Sequence, residues 1–277
     1  VPGVQDAYEA ATHAMAALLQ TNKAAHDKLL AASAPITEDE FYQILPKLKK
    51  SSGAGFTGWN NTLLRAICTA YKNGKSTRKN MVRLLNHVWS GNMTQREMAM
   101  WNASKAQLIP KPGSTDKRPL NIGGCLYRTL NRLINARVAL IMGPTLMPIQ
   151  YATGVVSGTE KVAAVTQALM EKGHDAISID LLNAFNLIPR RRVYNALIER
   201  CPILARHFAL THRGRSQAFL PNGKLLGYCE RGVRQGDPLA GLLFCLGIHD
   251  LLVEARDLMT GVAVSYTHLT LPTRCLG

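Results

Sequence analysis

With 277 residues, 47% of them hydrophobic, the chain can bury a core as one large domain or two small ones, and a disordered chain is excluded. A formal net charge of +15 points to an anionic polymer or an anionic membrane surface as partner, with a merely basic, ribosome-associated protein as the plainer alternative. The six cysteines (Cys68, Cys125, Cys201, Cys229, Cys245 and Cys275) contain no Cys-x-x-Cys pair. That argues against a zinc module or a disulfide framework and suits reduced thiols in an intracellular setting, nucleus or cytoplasm.

In chain order, residues 1–35 are alanine-rich with Met15, Leu18 and Leu19 at helical spacing, which predicts a helix or two loosely tied to the rest of the chain. The chain opens on Val1 rather than Met, with no basic flank before an apolar run, so its start reads as internal to a longer protein. Ser33-Ala34-Pro35 makes a natural joint. Thr37 and Glu40 form a capping-box pattern that opens a short helix through Phe41, Ile44 and Leu45, bent or ended by Pro46. The glycine-rich stretch Ser51–Trp59 lacks the Gly-Lys-Ser/Thr ending of a phosphate-binding loop. It predicts a tight turn packed on Trp59, before a helix carrying Leu63, Leu64 and Ile67.

Lys105–Ile122 predicts a β-hairpin whose arms, Ala106–Ile109 and Leu120–Ile122, flank Pro112-Gly113-Ser114-Thr115-Asp116. A basic helix follows, with Arg128, Arg132 and Arg137 among Leu130, Leu133, Ile134 and Val138. The apolar stretch Val138–Met147 is too short to cross a membrane and is broken by Gly143 and Pro144. After the loop Thr153–Gly158, a helix places Val162, Val165 and Leu169 on one face. Ala176–Leu181 alternates as a strand, with Ile177, Ile179 and Leu181 on one face and Ser178 and Asp180 on the other. A helix around Val193, Ala196 and Leu197 comes next. His207 and His212 have no cysteine or carboxylate to complete a ligand set and read as surface or phosphate-facing residues. Asn222-Gly223 between Ser216–Leu220 and Lys224–Cys229 predicts a second hairpin. After Gly236-Asp237-Pro238, a helix turns Leu239, Leu242, Leu243 and Leu246 inward.

Asp180 ends its strand with only the small Ala176 and Ser178 beside it on its face, which leaves room for a bulky ligand. Phosphoryl transfer asks for positioning and for charge neutralisation by Mg²⁺, for which carboxylates are the natural ligands. Taken alone, an aspartate at a strand end is more often a cap or turn residue.

The surrounding residues change that balance. Asp180-Leu-Leu-Asn183-Ala184-Phe185-Asn186 resembles the first catalytic motif of reverse transcriptases, an aspartate followed five residues later by an aromatic. Arg231-Gly-Val-Arg234-Gln235-Gly236-Asp237-Pro238-Leu239, with Leu242-Leu243-Phe244, resembles the family's next motif. Ser52–Trp59, Leu108–Gly113 with Lys117–Leu120, and Gly154–Glu160 are similar to its upstream blocks. The resemblance runs from about Pro35 to about Val264 and is closest to non-LTR retrotransposon polymerases, with group II intron enzymes next.

That resemblance implies an α+β fold, the fingers and palm of a right-hand polymerase, with the palm an antiparallel sheet backed by helices. Residues 1–35 would be a helical extension, 36–170 the fingers and 171–264 the palm. It implies an RNA-directed DNA polymerase working with RNA template, DNA primer, dNTP and two Mg²⁺ ions, its oligomeric state left open. Asp180 and the carbonyl of Leu181 would take metal. Lys111 and Arg118, on the two arms of one hairpin, would reach the triphosphate, though two solvated loop cations is the plainer account. Phe185 would stack beneath the sugar and reject a 2′-hydroxyl, ordinary core packing being the alternative. Gln235 and Gly236 would line the nucleotide site, and Arg128, Arg132 and Arg234 would contact template phosphates, or else be exposed charges.

The pattern breaks after Val264. The family's third motif carries two adjacent aspartates, whereas residues 265–277 hold no Asp or Glu and resemble a non-native tail. The thumb is missing too. This stretch by itself is therefore expected not to extend primers. An RNA-making palm enzyme and a non-catalytic nucleic-acid-binding remnant stand as the other readings.

Overall fold

Capping residues decide where the amino-terminal helices begin. In the computed structural model, which describes residues 1–70, 72–110, 117–175 and 181–258 (117–119 by backbone alone), α1 (Val4–Thr21) follows Gly3, whose N–H donates to Asp6. The Asn22 side chain accepts from the Ala25 N–H and opens α2 (Lys23–Ala32). The Thr37–Glu40 box is reciprocal, as its spacing predicts, and opens α3 (Glu38–Ile44), which tightens into a 3₁₀ turn, Leu45–Lys47, at Pro46. Then come α4 (Asn61–Thr69), α5 (Gly74–Trp89) and α6 (Gln95–Asn102), leading into β1 (Ser104–Pro110).

The two hairpins predicted from turn chemistry both form. β1 pairs antiparallel with β2 (Lys117–Gly123), running from Ser104↔Gly123 to Pro110↔Lys117. Further on, β3 (Ser216–Phe219) pairs antiparallel with β4 (Leu225–Cys229), with a bulge at Ala218/Phe219. The hairpins then join: β3 adds to the free edge of β1 in parallel, Ser104↔Ala218 and Lys105↔Phe219, giving the order β2-β1-β3-β4. The described sheet is thus mixed rather than purely antiparallel, because the first strands of the two hairpins run the same way. The strand expected over 176–181 lies outside the described residues up to Asp180.

Helices supply the core. α7 (Cys125–Leu146) runs on through Pro144 and buries Leu130, Leu133, Ile134, Val138 and Leu146. α12 (Ala240–Leu258) packs on it, α10 (Arg190–Arg200) packs on α12, and α11 (Ala205–His212) packs on α10, with Leu197, Phe208 and Phe244 fully buried. Burying one such side chain contributes roughly 1.5–3 kcal/mol. α12 turns Leu242, Leu243 and Leu246 inward as its spacing predicts. α8 (Gly158–Glu171) forms where expected, but Val165 on its apolar face is exposed.

The amino-terminal helices are not loosely tied. α1 packs on α10 and α11, Ala7 is fully buried, and the Arg206 guanidinium lies over the Tyr8 ring at 4.8 Å. The predicted joint at Ser33–Pro35 is pinned: Arg137 donates to the carbonyls of Ala32, Ala34 and Pro35 and pairs with Glu40, and Trp89 Nε1 donates to Ser33 O. That pairing is the main reason the Glu40 carboxyl sits below its ordinary pKa. Cys68, Cys125, Cys201, Cys229 and Cys245 are free thiols. Among the described residues no helix is long and apolar enough to cross a membrane.

Candidate active site

The two motifs singled out in the sequence are held against each other. Leu181 and Leu182 are exposed, and Asn183 turns with φ 49° into the single helical turn α9 (Ala184–Leu187). The Val233 N–H donates to Phe185 O at 2.8 Å. This approach requires Gly232: its φ is +64°, and a Cβ there would lie 2.3 Å from Phe185 O and 2.4 Å from Asn186 O. Phe185 is half-buried and stacks on Phe244, ring centroids 4.7 Å apart, which fixes the orientation of its ring.

Arg190 fastens this junction from within. It is 9% exposed, and its guanidinium donates to Gly232 O, His212 O and Gly214 O at 3.0 Å, Cys229 O at 3.1 Å and Arg231 O at 3.4 Å. Burial, and then the Arg234 cation, push its pKa down to about 10, so it remains charged at neutral pH.

Asp237 fastens the other side. Its carboxylate accepts from Tyr127 OH at 2.5 Å, Asn131 Nδ2 at 2.8 Å and the Leu239 N–H at 2.9 Å. Asn131 Oδ1 in turn lies 2.7 Å from His207 Nε2. Burial, then the Asp237 charge, raise the Tyr127 hydroxyl pKa, so it serves as a donor. The network ties the Gln235–Gly236 loop to α7, directly after β2, and a Cβ on Gly236 would lie 3.1 Å from Leu120 on β2. Sequence reasoning missed Tyr127 and Asp237 as a pair. The available signal was Gly-Asp-Pro before an apolar helix, a turn in which Asp bonds the backbone two residues on.

The structure therefore brings together Phe185, the half-buried Gln235, the exposed Gly236 and the strand that carries Arg118, whose backbone pairs with Ile109. Asp180 and Lys111 lie outside the described residues. Three expectations are corrected. Arg234, expected on template phosphates, is only 2% exposed; its guanidinium lies over the Tyr127 ring at 5.0 Å and reaches Thr211 O, drawn in by that ring. Arg128 is committed to Ser52 Oγ and Gly53 O, holding the glycine-rich segment, and burial lowers its pKa. His207 and His212 are interior: burial pushes His207 down to about 3 and His212 well below its ordinary value, so both are neutral. Arg132, one turn beyond Arg128, is half-buried.

No group of three or more histidine, cysteine or carboxylate side chains converges among the described residues. Both Asp237 oxygens are already engaged. The described residues do not by themselves make a divalent-metal site.

The described residues define an α+β domain, mostly helical, with one mixed four-stranded sheet beside which the candidate site is assembled. The chain belongs to the reverse transcriptase (RNA-dependent DNA polymerase) family, whose model it matches over residues 109–267, more than half its length. Members of that family use divalent metal ions. The chain is 28% identical over 222 residues to a retrovirus-related Pol polyprotein from the type-1 retrotransposable element R2 of Nasonia vitripennis, covering 76% of this chain and 20% of that protein. It is 26% identical over 172 residues to the corresponding R2 polyprotein of Popillia japonica, covering 57% of this chain and 24% of that protein. The chain thus spans about a fifth to a quarter of those relatives, and the non-LTR character expected from its motifs agrees with them.

Proposed function

We propose that the chain is part of the RNA-directed DNA polymerase of a non-LTR retroelement, with 36–170 as fingers, 171–264 as palm and 1–35 as a helical extension. RNA template, DNA primer and dNTP are its partners in this reading, inside the cell. The observation that carries it is the Val233–Phe185 hydrogen bond across Gly232. It joins the segment that follows Asp180 to the Arg231–Leu239 motif, beside the strand that carries Arg118. Phe185, fixed by its stack on Phe244, is the group that senses the sugar 2′ position. Gln235 and Gly236 line the nucleotide site, and Lys111 and Arg118 meet the triphosphate. Asp180 and the Leu181 carbonyl are the metal positions, where Mg²⁺ would neutralise phosphate charge.

The test is primer extension by the longer protein that carries this chain. Asp180→Asn is expected to abolish DNA synthesis on an RNA template while leaving RNA binding within a factor of two or so, because the charge serves metal rather than strand contacts. Synthesis that survives Asp180→Asn would refute the assignment. Wild-type incorporation of ribonucleotides as efficient as that of deoxynucleotides would favour the RNA-making palm enzyme instead.

A further inference from the structure

We infer that the outward face of the β3–β4 hairpin, together with Phe56, is a stacking platform for unpaired bases of a single-stranded nucleic acid. The inference rests on the nucleic-acid reading above but concerns the outward sheet face rather than the Phe185–Gly232 contact itself. Along β3, Ser216 and Ala218 are buried, so Gln217 and Phe219 point the other way. The register Gln217↔Tyr228 puts Tyr228 on that same outward face, where it is 48% exposed. Phe56, from the glycine-rich segment, stacks on Phe219 with centroids 4.1 Å apart and planes 26° from parallel, yet is itself 46% exposed. Tyr228 and Phe56 thus leave nearly half their surface open on one sheet face, a grouped aromatic exposure of the kind that marks a binding surface.

The platform is held in place. Gly55 lies so close to the Gly123–Gly124 backbone that a Cβ would meet Gly123 O at 2.6 Å, and Arg128 grips Ser52 and Gly53. Its charge names the occupant. Arg215 lies over the Tyr228 ring at 5.5 Å and pairs with Glu230 at 2.7 Å. Lys105 shares the face through its register with Phe219, and Lys224 stands at the hairpin turn. Glu230 is the single carboxylate between Arg213 and Arg231. A second copy of a chain with net charge +15 is repelled from such a surface. A flexible polyanion that presents flat π faces satisfies both the rings and the cations.

The experiment is fluorescence anisotropy of the 277-residue chain with a labelled oligouridylate, chosen because it is unstructured, across a salt series. Tyr228→Ser and Phe56→Ser are each expected to weaken binding about tenfold with an unchanged salt slope, and Tyr228→Trp to bind like wild type. Arg215→Gln should instead reduce the salt slope by about one. Thermal melts establish that each variant folds. Should Tyr228→Ser fail to fold, Tyr228→Leu keeps apolar area without a π face, and wild-type affinity there would overturn the proposal. So would wild-type affinity in both serine variants, with the polymerase reading left standing. A wild-type chain that bound no oligouridylate at all would remove the nucleic-acid reading along with it.

Discussion

Removing the Arg190 guanidinium is expected to loosen the junction between the two motifs more than its distance from solvent suggests. In Arg190→Met the apolar stem is kept while five carbonyls lose their donor. Of these, Gly214 and Arg231 belong to exposed residues and Cys229 to a half-buried one, so water can replace the lost bonds. Gly232 and His212 are buried, and an unpaired buried acceptor costs roughly 1–3 kcal/mol. The two together cost about 2–6 kcal/mol. Relief of the guanidinium's own burial, visible in a pKa pushed down to about 10, offsets about 3 kcal/mol, so the upper end of that range leaves a net loss of about 2–3 kcal/mol. Urea denaturation followed by circular dichroism should show a midpoint lower by about 1 M for a slope near 3 kcal/mol/M. Hydrogen exchange should speed up first at Val233, the amide bound to Phe185 O. A midpoint within 0.2 M or so of wild type, or exchange unchanged at Val233, would refute the clamp.

Other perturbations separate the remaining claims. Gly232→Ala forces a Cβ against Phe185 O at positive φ and should destabilise by at least about 2 kcal/mol in the same urea assay. Arg234→Met should leave oligouridylate affinity unchanged and stability within about 1 kcal/mol of wild type, since Nε and Nη1 find no partner among the described residues; a large loss of affinity would return Arg234 to the strand interface. His207 and His212 have folded pKa values below their ordinary 6.5, so the unfolded chain takes up protons first as pH falls. Stability should be full above pH 6.5 and decline below it toward pH 3, by up to roughly 1.4 kcal/mol per pH unit per histidine. His207→Gln should flatten that slope, measured as urea midpoints between pH 7 and 4.

Much of the fold could be read from local pattern because its determinants are local. The Thr37–Glu40 box, the Asn222-Gly223 turn and the inward leucines of α12 each involve residues a few positions apart. Where the reading failed, the deciding partner was remote. Nothing near Arg234 in the chain announces Tyr127, and nothing near Asp237 announces Asn131, 106 residues away. α11 is buried almost all round, polar Thr211 included, because α1 covers it from the other end of the chain. Its histidines read as surface or phosphate-facing groups because no cysteine or carboxylate completes a ligand set with them, a local criterion blind to α1. Likewise the loose attachment expected of residues 1–35 overlooked Arg137, whose carbonyl partners are about a hundred residues upstream.

The parallel step between β1 and β3 also sets a timetable. Each hairpin closes on its own neighbour, but Ser104 Oγ reaches Gln217 O across 113 residues. During synthesis at about 5–20 residues per second, the free edge of β1 waits on the order of 6–20 s before β3 exists to cover it. For that interval a strand with Leu108 and Ile109, both exposed even in the finished fold, is an open template for another nascent chain on the same message. Lys105 on that strand supplies a charge that opposes such pairing. The sheet that later frames the site is thus, early in the life of the chain, the place where ribosome-bound copies can capture each other.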